Sequence, residues 1–162
     1  MVNILLGATG SVATIKVPEL VEHVSRLEDC HLRLMMTEHS KHFLSADSVL
    51  GSVESVISDE EEWSSWNKRG DPVLHIELRK WADIVIIAPL SANTLAKISH
   101  GIADNLVTSV MRAWDFSKPC LIAPAMNTMM WDHPVTSQQL EILQTWGFTL
   151  IPPISKTLGE SC

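Results

Sequence analysis

Cysteine is scarce in this chain, and what the sequence lacks excludes several classes of protein. Its three cysteines, Cys30, Cys120 and Cys162, are odd in number and widely spaced, so neither a disulfide framework nor a CxxC metal knuckle is predicted. No apolar run reaches the length of a transmembrane helix. The amino terminus enters a short strand and a glycine turn, unlike a signal peptide. We therefore expect a cytoplasmic protein with no membrane partner.

Basic residues are in the minority. The chain has 12 Lys and Arg against 19 Asp and Glu, which gives a formal net charge of -7. Binding to phosphate backbones needs clustered basic side chains, and no basic stripe is present, so the sequence predicts no nucleic-acid partner. The longest run of charge is acidic, at residues 59–62, and it predicts a solvated loop.

The order of apolar and amphipathic segments predicts the fold class. Hydrophobic residues are 46% of the 162 residues and charged residues 19%, which is typical of a single globular domain. The predicted strands are 2–6, 31–36, 84–88, 120–123 and 148–151; the predicted helices are 11–26, 37 to about 44, 92–100, 104–114 and 136–146. This alternation predicts an α/β fold, a doubly wound, flavodoxin-like or Rossmann-like parallel sheet with helices on both faces. Residues 45–72 are predicted to be a long, partly helical surface excursion.

Polar side chains follow two of the buried strands. Asn127 comes shortly after the strand that ends at residue 123, and Ser91, Asn93 and Thr94 follow the strand that ends at residue 88. Ligands of open α/β sheets bind at the carboxyl ends of the strands. The Asn127 amide has two donors and an acceptor, which suits it to a carboxylate or an amide. We expect a binding site at this edge of the sheet.

The first turn, Gly7-x-x-Gly10-Ser11, permits two interpretations. It is either a phosphate-binding loop at a helix start or an ordinary tight βα turn, and it matches neither GxGxxG nor GxxxxGK[ST]. Thr37 stands where a dinucleotide-binding protein has an acidic residue for the ribose, which disfavours NAD. The hydroxyls at the βα junctions suit the phosphate and ring of FMN better; they belong to Ser11, Thr37, Ser40, Ser91 and Thr94.

For the other candidate residues, a purely structural role remains an alternative to a functional one. His75, between Leu74 and Ile76, is either a partly buried structural histidine or a proton carrier. His39 and His42 have no third ligand at metal spacing, so no metal site is predicted. Three methionines could flank a planar cofactor or pack in the core or an interface, and they are Met126, Met129 and Met130. The six tryptophans are predicted to lie in the core or at subunit contacts.

Six segments together resemble the phosphopantothenoylcysteine decarboxylase family, within the homo-oligomeric flavin-containing cysteine decarboxylases. They are GSVA (10–13), HIELRKWAD (75–83), APLSANT (88–94), DNL (104–106), RAWD (112–115) and PAMNTMMW (124–131). The resemblance implies an FMN-binding flavoprotein domain over residues 1–158 and an atypical carboxyl-terminal end at residues 159–162. It also implies a homotrimer with FMN at the subunit interfaces.

The resemblance further implies roles for particular residues. His75 matches the active-site histidine and Asn127 the asparagine that holds the substrate carboxylate, with Met130 assigned to the same substrate site. The positions that match FMN contacts are Ser11, Val12, Ala13, Thr37, Ser40, Ser91, Ala92, Asn93, Thr94 and Ala125. The implied reaction belongs to coenzyme A biosynthesis. The cysteine of 4′-phospho-N-pantothenoylcysteine is oxidised to a thioaldehyde, CO2 leaves to give an enethiol, and reduction gives 4′-phosphopantetheine.

The chain departs from the family near its end. Relatives have Leu-x-Cys-Gly-Asp and then a glycine-rich flap, whereas here Leu158 is followed by Gly159 and Glu160, with Cys162 two residues too late. We therefore expect either the oxidative half-reaction alone, with release of the enethiol, or a partner subunit that supplies the cysteine. The alternatives are a non-catalytic relative, acting as a phosphatase-inhibitor-like or heteromeric subunit, and a decarboxylase of C-terminal cysteines in peptides.

Overall fold

The structure is a computed structural model, and it describes residues 1–154. The strands are β1 (Val2–Ala8), β2 (Cys30–Met36), β3 (Ser55–Ile57), β4 (Ile84–Leu90), β5 (Cys120–Pro124) and β6 (Thr149–Leu150). The α-helices are α1 (Val17–Ser25), α2 (Asp59–Ser64), α3 (Leu74–Trp81), α4 (Ala92–Ser99), α5 (Leu106–Arg112), α6 (Thr128–Trp131) and α7 (Pro134–Trp146). Short 3-10 helices cover Val12–Lys16, His39–His42 and Ala46–Ser48.

Within residues 1–154 the strands form one parallel six-stranded sheet in the order β3-β2-β1-β4-β5-β6. The order reverses between β1 and β4, which lie side by side although 75 residues lie between the end of β1 at Ala8 and the start of β4 at Ile84. This is the strand order of the Rossmann fold, in which ligands bind beside the reversal. The predicted doubly wound parallel fold is confirmed.

The two faces of the sheet have separate apolar cores because alternate side chains of a strand point to opposite faces. On one face Leu5 and Met35 pack with α3, α4, α5 and α7. On the other face Leu6 and Leu34 pack with α1 and with the segment around Leu44. Helices therefore cover both faces, as predicted, and the carboxyl edge of the sheet is left for the loops.

Local signals in the sequence explain where several helices begin and end. Ser91 caps α4 by accepting the N–H of Thr94 at 3.1 Å, and Asn105 caps α5 by accepting the N–H of Thr108 at 2.8 Å. Gly147 ends α7 in the left-handed conformation, with a φ of 111°, which glycine adopts without strain. Two of these caps lie at the carboxyl edge of the sheet.

Several predicted boundaries were wrong. The acidic residues 59–62 form the first turn of α2 rather than a solvated loop, because each of three carboxylates there accepts a specific hydrogen bond. The excursion 45–72 contains an edge strand, β3, whose three residues are too few to produce a recognisable sequence pattern. The predicted helix 11–26 divides into the 3-10 helix Val12–Lys16 and α1. The predictions that concern residues 156–162 lie outside the described residues.

Two further observations bear on the expected partners. Among residues 1–154, no helix combines the length and the apolar character that crossing a membrane would require. The same residues hold no group of three or more His, Cys, Asp or Glu side chains placed to bind a metal ion.

Candidate active site

The loops after β1, β4 and β5 meet at the carboxyl edge of the sheet. The buried Thr9 hydroxyl donates to the carbonyl of Pro89 at 2.7 Å and accepts the N–H of Ser91 at 2.8 Å. The Ser11 hydroxyl donates to the carbonyl of Ala125 at 3.3 Å. Pairing between β4 and β5 shifts register between Ile87 and Leu90, as strands often do beside binding sites. The structure therefore brings together residues from three strand ends that are far apart in the sequence.

Gly10 allows the first turn to approach a neighbouring loop. A Cβ at this position would lie 2.5 Å from the Cβ of His39, so no larger residue fits without movement of the backbone. Beyond it, Ser11 caps the 3-10 helix by accepting the N–H of Ala13 at 3.3 Å, while the Val12 side chain is 69% exposed. The turn thus presents a hydroxyl and an apolar side chain at the sheet edge.

A cavity of about 240 Å³ lies between the loops after β1, β2 and β4. Among its lining residues are Thr37, Ser91, Asn93, Thr94, Lys97 and Asn105. Asn93 is exposed, whereas Ser91 and Thr94 are nearly buried and bond to each other, hydroxyl to hydroxyl, at 3.1 Å. Lys97 forms an ion pair with Asp104 at 2.9 Å, so the cavity has one positive side chain held close to a negative one.

Thr37 and Ser40 lie in a tight buried turn. The Ser40 side chain is fully buried and its hydroxyl donates to the carbonyl of Thr37 at 2.7 Å. Thr37 lines the cavity, but its backbone also bonds to Ala8, which ties the ends of β2 and β1 together. In this structure Ser40 shapes the loop, and its predicted contact with FMN stays a prediction.

Asn127 stands exposed beyond β5 and caps α6. Its Oδ1 atom accepts the N–H of Met129 at 2.8 Å, which orients the amide, and among residues 1–154 its two N–H donors have no partner. Met129 is 77% exposed and Met130 50% exposed on the same short helix. A side chain with two N–H donors oriented in this way is suited to an anionic partner such as a carboxylate.

His75 occupies the first turn of α3 and lines a second cavity, with a volume of about 540 Å³. Its Nδ1 atom lies 2.5 Å from Oε1 of Glu62, and its backbone N–H donates to Oε2 of the same carboxylate at 3.0 Å. Trp63, Trp66 and Arg112 contribute to the walls of the cavity. The side chain is 25% exposed and paired with Glu62, so it is partly buried, as the structural alternative expects, and it also borders a cavity. Its role as a proton carrier stays a prediction.

The two cavities meet at the segment before α5. Asp104 and Asn105 line both of them. Asp59, at the start of α2, fixes this segment because its Oδ1 atom accepts the N–H of Leu106 at 2.7 Å. His75 is therefore not isolated from the hydroxyl-bearing strand ends: the two parts of the candidate site adjoin along the entrance to α5.

Helix α2 is held in place by its own carboxylates. Burial alone would raise the pKa of Glu61, but hydrogen bonds from the hydroxyl and the N–H of Ser58 outweigh it, so this pKa lies below its usual range. Glu62 is more enclosed, with 11% of its side chain exposed. The acidic run thus positions α2 against α3 and α5.

Sequence reasoning missed several of these residues. Glu62, Asp59 and Thr9 act through partners that lie 13, 47 and 80 residues away, respectively. Periodicity and local motifs carry no information about contacts of that kind. One sequence signal could have indicated that Glu62 lies on a helix. Ser58 and Glu61 have the spacing of a capping box, which marks the start of α2.

The fold and the strand-end site define a class, and comparison confirms it: the chain belongs to the Flavoprotein family, which matches residues 1–162. It is 55% identical over 157 residues to a probable phosphopantothenoylcysteine decarboxylase of Arabidopsis thaliana, covering 97% of this chain and 77% of that protein. It is 49% identical over 156 residues to the phosphopantothenoylcysteine decarboxylase of Mus musculus, covering 96% of this chain and 75% of that protein.

Solved structures agree. A PPC decarboxylase mutant complexed with pantothenoylaminoethenethiol superposes with a TM-score of 0.91 and 54% identity, covering 97% of this chain and 85% of that chain. The FMN binding protein AtHal3 superposes with a TM-score of 0.90 and 54% identity, covering 96% of this chain and 83% of that chain. The predicted family is confirmed. The predicted cofactor, FMN, is also confirmed, since the family is named Flavoprotein and AtHal3 is named an FMN binding protein.

Proposed function

We propose that the chain is an FMN-dependent decarboxylase that acts on 4′-phospho-N-pantothenoylcysteine in coenzyme A biosynthesis. The observation that carries the proposal is the state of Asn127. The α6 cap orients the amide through its oxygen, and within residues 1–154 its two exposed N–H donors, beyond the carboxyl end of β5, have no partner. Such a group binds a carboxylate without adding charge. The names of the relatives support the same substrate class.

The residues at the sheet edge fit FMN. The Thr94 hydroxyl, the first turn of α4 and the Lys97 ammonium provide donors for a phosphate. Exposed apolar side chains, Val12 and Met129, are available to cover a ring. When bound, FMN would supply the oxidant for the thiol-bearing carbon of the substrate, and that oxidation allows the carboxylate to leave as CO2.

The residues of the chain have separate tasks in this proposal. The Asn127 donors hold the carboxylate until it leaves, and Met130 covers the same position on α6. His75 accepts a proton from the substrate at Nε2, since Nδ1 is engaged by Glu62. Trp63 and Trp66 line the cavity beside His75 and are themselves exposed, so they offer an apolar surface to the bound substrate.

We extend the proposal to the assembly. A homotrimer would cover the exposed apolar residues of the carboxyl edge with a neighbouring subunit. The expected compartment is the cytoplasm, where coenzyme A intermediates and a reducing environment are found together.

One assay tests the proposed function. The protein is purified, its absorbance is read for bound flavin, and it is incubated with 4′-phospho-N-pantothenoylcysteine while CO2 and products are measured. We expect a yellow protein that releases CO2, with either 4′-phosphopantetheine or the enethiol as product. Colourless protein without CO2 release would contradict the proposal and favour a non-catalytic binding subunit. Turnover of a peptide with a C-terminal cysteine, but not of this substrate, would also contradict it.

A further inference from the structure

The carboxylate of Glu62 makes two hydrogen bonds to one residue, His75. Oε2 accepts the backbone N–H at 3.0 Å, and Oε1 lies 2.5 Å from Nδ1 of the ring. Glu62 is on α2 and His75 is on α3, so the pair also joins two helices. The Glu62 side chain is 11% exposed and that of His75 25% exposed, so water competes little for either bond.

The chemistry of the pair fixes the tautomer of the ring. An ionised carboxylate has only acceptors, so Nδ1 must carry the hydrogen and donate it. In the neutral ring the lone pair then resides on Nε2. Among residues 1–154, no side chain or carbonyl forms a hydrogen bond with Nε2 of His75. The free nitrogen is therefore the one able to take a proton from a bound molecule.

We propose that Glu62 is a positioning residue for the decarboxylation: it orients the His75 ring and holds its proton on Nδ1. This inference rests on the proposed function, because it assigns Glu62 to the same reaction. Glu62 itself touches neither substrate nor cofactor in this proposal. Its carboxylate also stabilises the positive charge that the ring acquires when Nε2 takes a proton, as in the Asp–His pairs of serine proteases.

A purely structural role for Glu62 is the competing explanation. Val73, the residue before α3, has no side-chain group that can cap the helix. Glu62 provides the cap instead by accepting the backbone N–H of His75. Capping alone, however, needs one oxygen, and the ring receives the other. The test must therefore separate loss of the cap from loss of the ring orientation.

Glu62→Gln separates them. The Gln amide has one acceptor oxygen and one donor nitrogen, so it can keep the helix cap only by turning its NH2 group toward Nδ1. That arrangement forces the proton of His75 onto Nε2 and removes the free lone pair. We expect kcat to fall by about 100-fold or more with KM nearly unchanged, since the equivalent amide substitution in a serine-protease triad lowers kcat about 10⁴-fold.

Two variants serve as references. Glu60→Gln makes the same chemical change on the same helix, at a side chain that is 81% exposed, and we expect it to behave as the parent protein. Glu62→Asp keeps two acceptor oxygens on a shorter side chain, and we expect it to retain more kcat than Glu62→Gln. Equal losses in Glu62→Asp and Glu62→Gln, matched by equal losses of thermal stability, would overturn the positioning role.

The tautomer is measured without activity. Nitrogen-15 NMR of the flavin-loaded protein, labelled at histidine and assigned with His75→Asn, distinguishes a protonated ring nitrogen from a bare one. We expect Nδ1 protonated and Nε2 bare in the parent protein, and the reverse in Glu62→Gln. A parent spectrum with the proton on Nε2 would overturn the inference about Glu62. Absence of CO2 release with the expected spectrum would instead overturn the proposed function, while the control of the His75 tautomer by Glu62 would stand.

Discussion

At the scale of single residues, one side chain serves folding and binding with different atoms. Asn127 uses Oδ1 to cap α6 and keeps its N–H donors for a ligand. Glu62 divides its two oxygens between the backbone and the ring of His75. In both cases the local bond fixes the orientation of the side chain before a ligand arrives, which reduces the entropy lost on binding. These residues are therefore sensitive to substitutions that preserve shape but exchange donors for acceptors.

Asn127→Asp tests this division of labour. Asp accepts the N–H of Met129 as well as Asn does, so we expect the free energy of unfolding and flavin binding to stay close to those of the parent. The second oxygen would face the substrate carboxylate with a negative charge instead of a donor. Since a hydrogen bond to a charged group contributes about 1.5–3 kcal/mol, we expect kcat/KM to fall by about 10- to 150-fold or more.

Steady-state kinetics on the yellow protein, with a thermal melt as the control for folding, measures the effect of Asn127→Asp. Parent-like kcat/KM in this variant would remove Asn127 from the carboxylate site. A lowered melting temperature with a parallel loss of flavin would show that the cap, and not the ligand contact, had been damaged.

At the scale of elements, the site depends on how the strand ends are tied together. Thr9 links the end of β1 to the end of β4 through the carbonyl of Pro89 and the N–H of Ser91, and it is fully buried. Asp59 links α2 to α5 in a similar way. These bonds, buried at Thr9 and partly buried at Asp59, hold the loops in place even though the loops are not part of the sheet. The position of the cavity follows from these ties.

Replacing Thr9 by Val keeps the shape of the side chain and removes the hydroxyl. The N–H of Ser91 would then be buried without a partner, and we expect a loss of about 1–3 kcal/mol in the free energy of unfolding. Urea denaturation measures it. Thr145→Val on the exposed side of α7 is the matched control, with an expected change within about 0.5 kcal/mol. Equal stability of Thr9→Val and the parent would mean that water satisfies the Ser91 N–H.

The sequence predicted elements better than contacts between them. Buried strands β1, β2, β4 and β5 have apolar runs that local patterns reveal, and the polar residues at their ends were expected at one edge. Edge strand β3 is too short for such a pattern. Helix α2 is acidic, and its order comes from bonds to Ser58, His75 and Leu106 that only the fold brings near. Sequence patterns carry no information about hydrogen bonds between polar residues that are far apart in the chain.

At the scale of the whole molecule, the sheet separates a sealed interior from an open carboxyl edge. Cys120 on β5 is 1% exposed, and burial raises the pKa of its thiol far above the usual value. At the opposite extreme, Val12 and Met129 follow strand ends and are largely exposed. The interior is closed, whereas the edge carries exposed apolar side chains beside its polar cavity, which is typical of an edge that a ligand or a second subunit covers.

The sealed interior predicts how the cysteines react. Since the reactive species is the thiolate, and a raised pKa depletes it at pH 8, we expect Cys120 to resist alkylation until the protein unfolds. Cys30 is partly exposed and is the internal reference. Peptide mapping by mass spectrometry, after a pulse of iodoacetamide with and without urea, measures both. Equal labelling of Cys120 and Cys30 in the native protein would contradict the closed interior.

The open edge predicts the state of assembly. If neighbouring subunits cover it, Met129→Glu places a charge in the contact, because Met129 is 77% exposed in the single subunit. The Asn127 cap is kept, since Met129 contributes only its backbone N–H to that bond. We expect the parent to sediment as a trimer and Met129→Glu to dissociate toward monomer, with loss of bound flavin. Leu27→Glu, at a 57% exposed residue beyond α1 and near the amino edge of the sheet, is the matched control and should remain trimeric. A parent protein that sediments as a monomer at micromolar concentration with full flavin content would show that a single subunit completes the site.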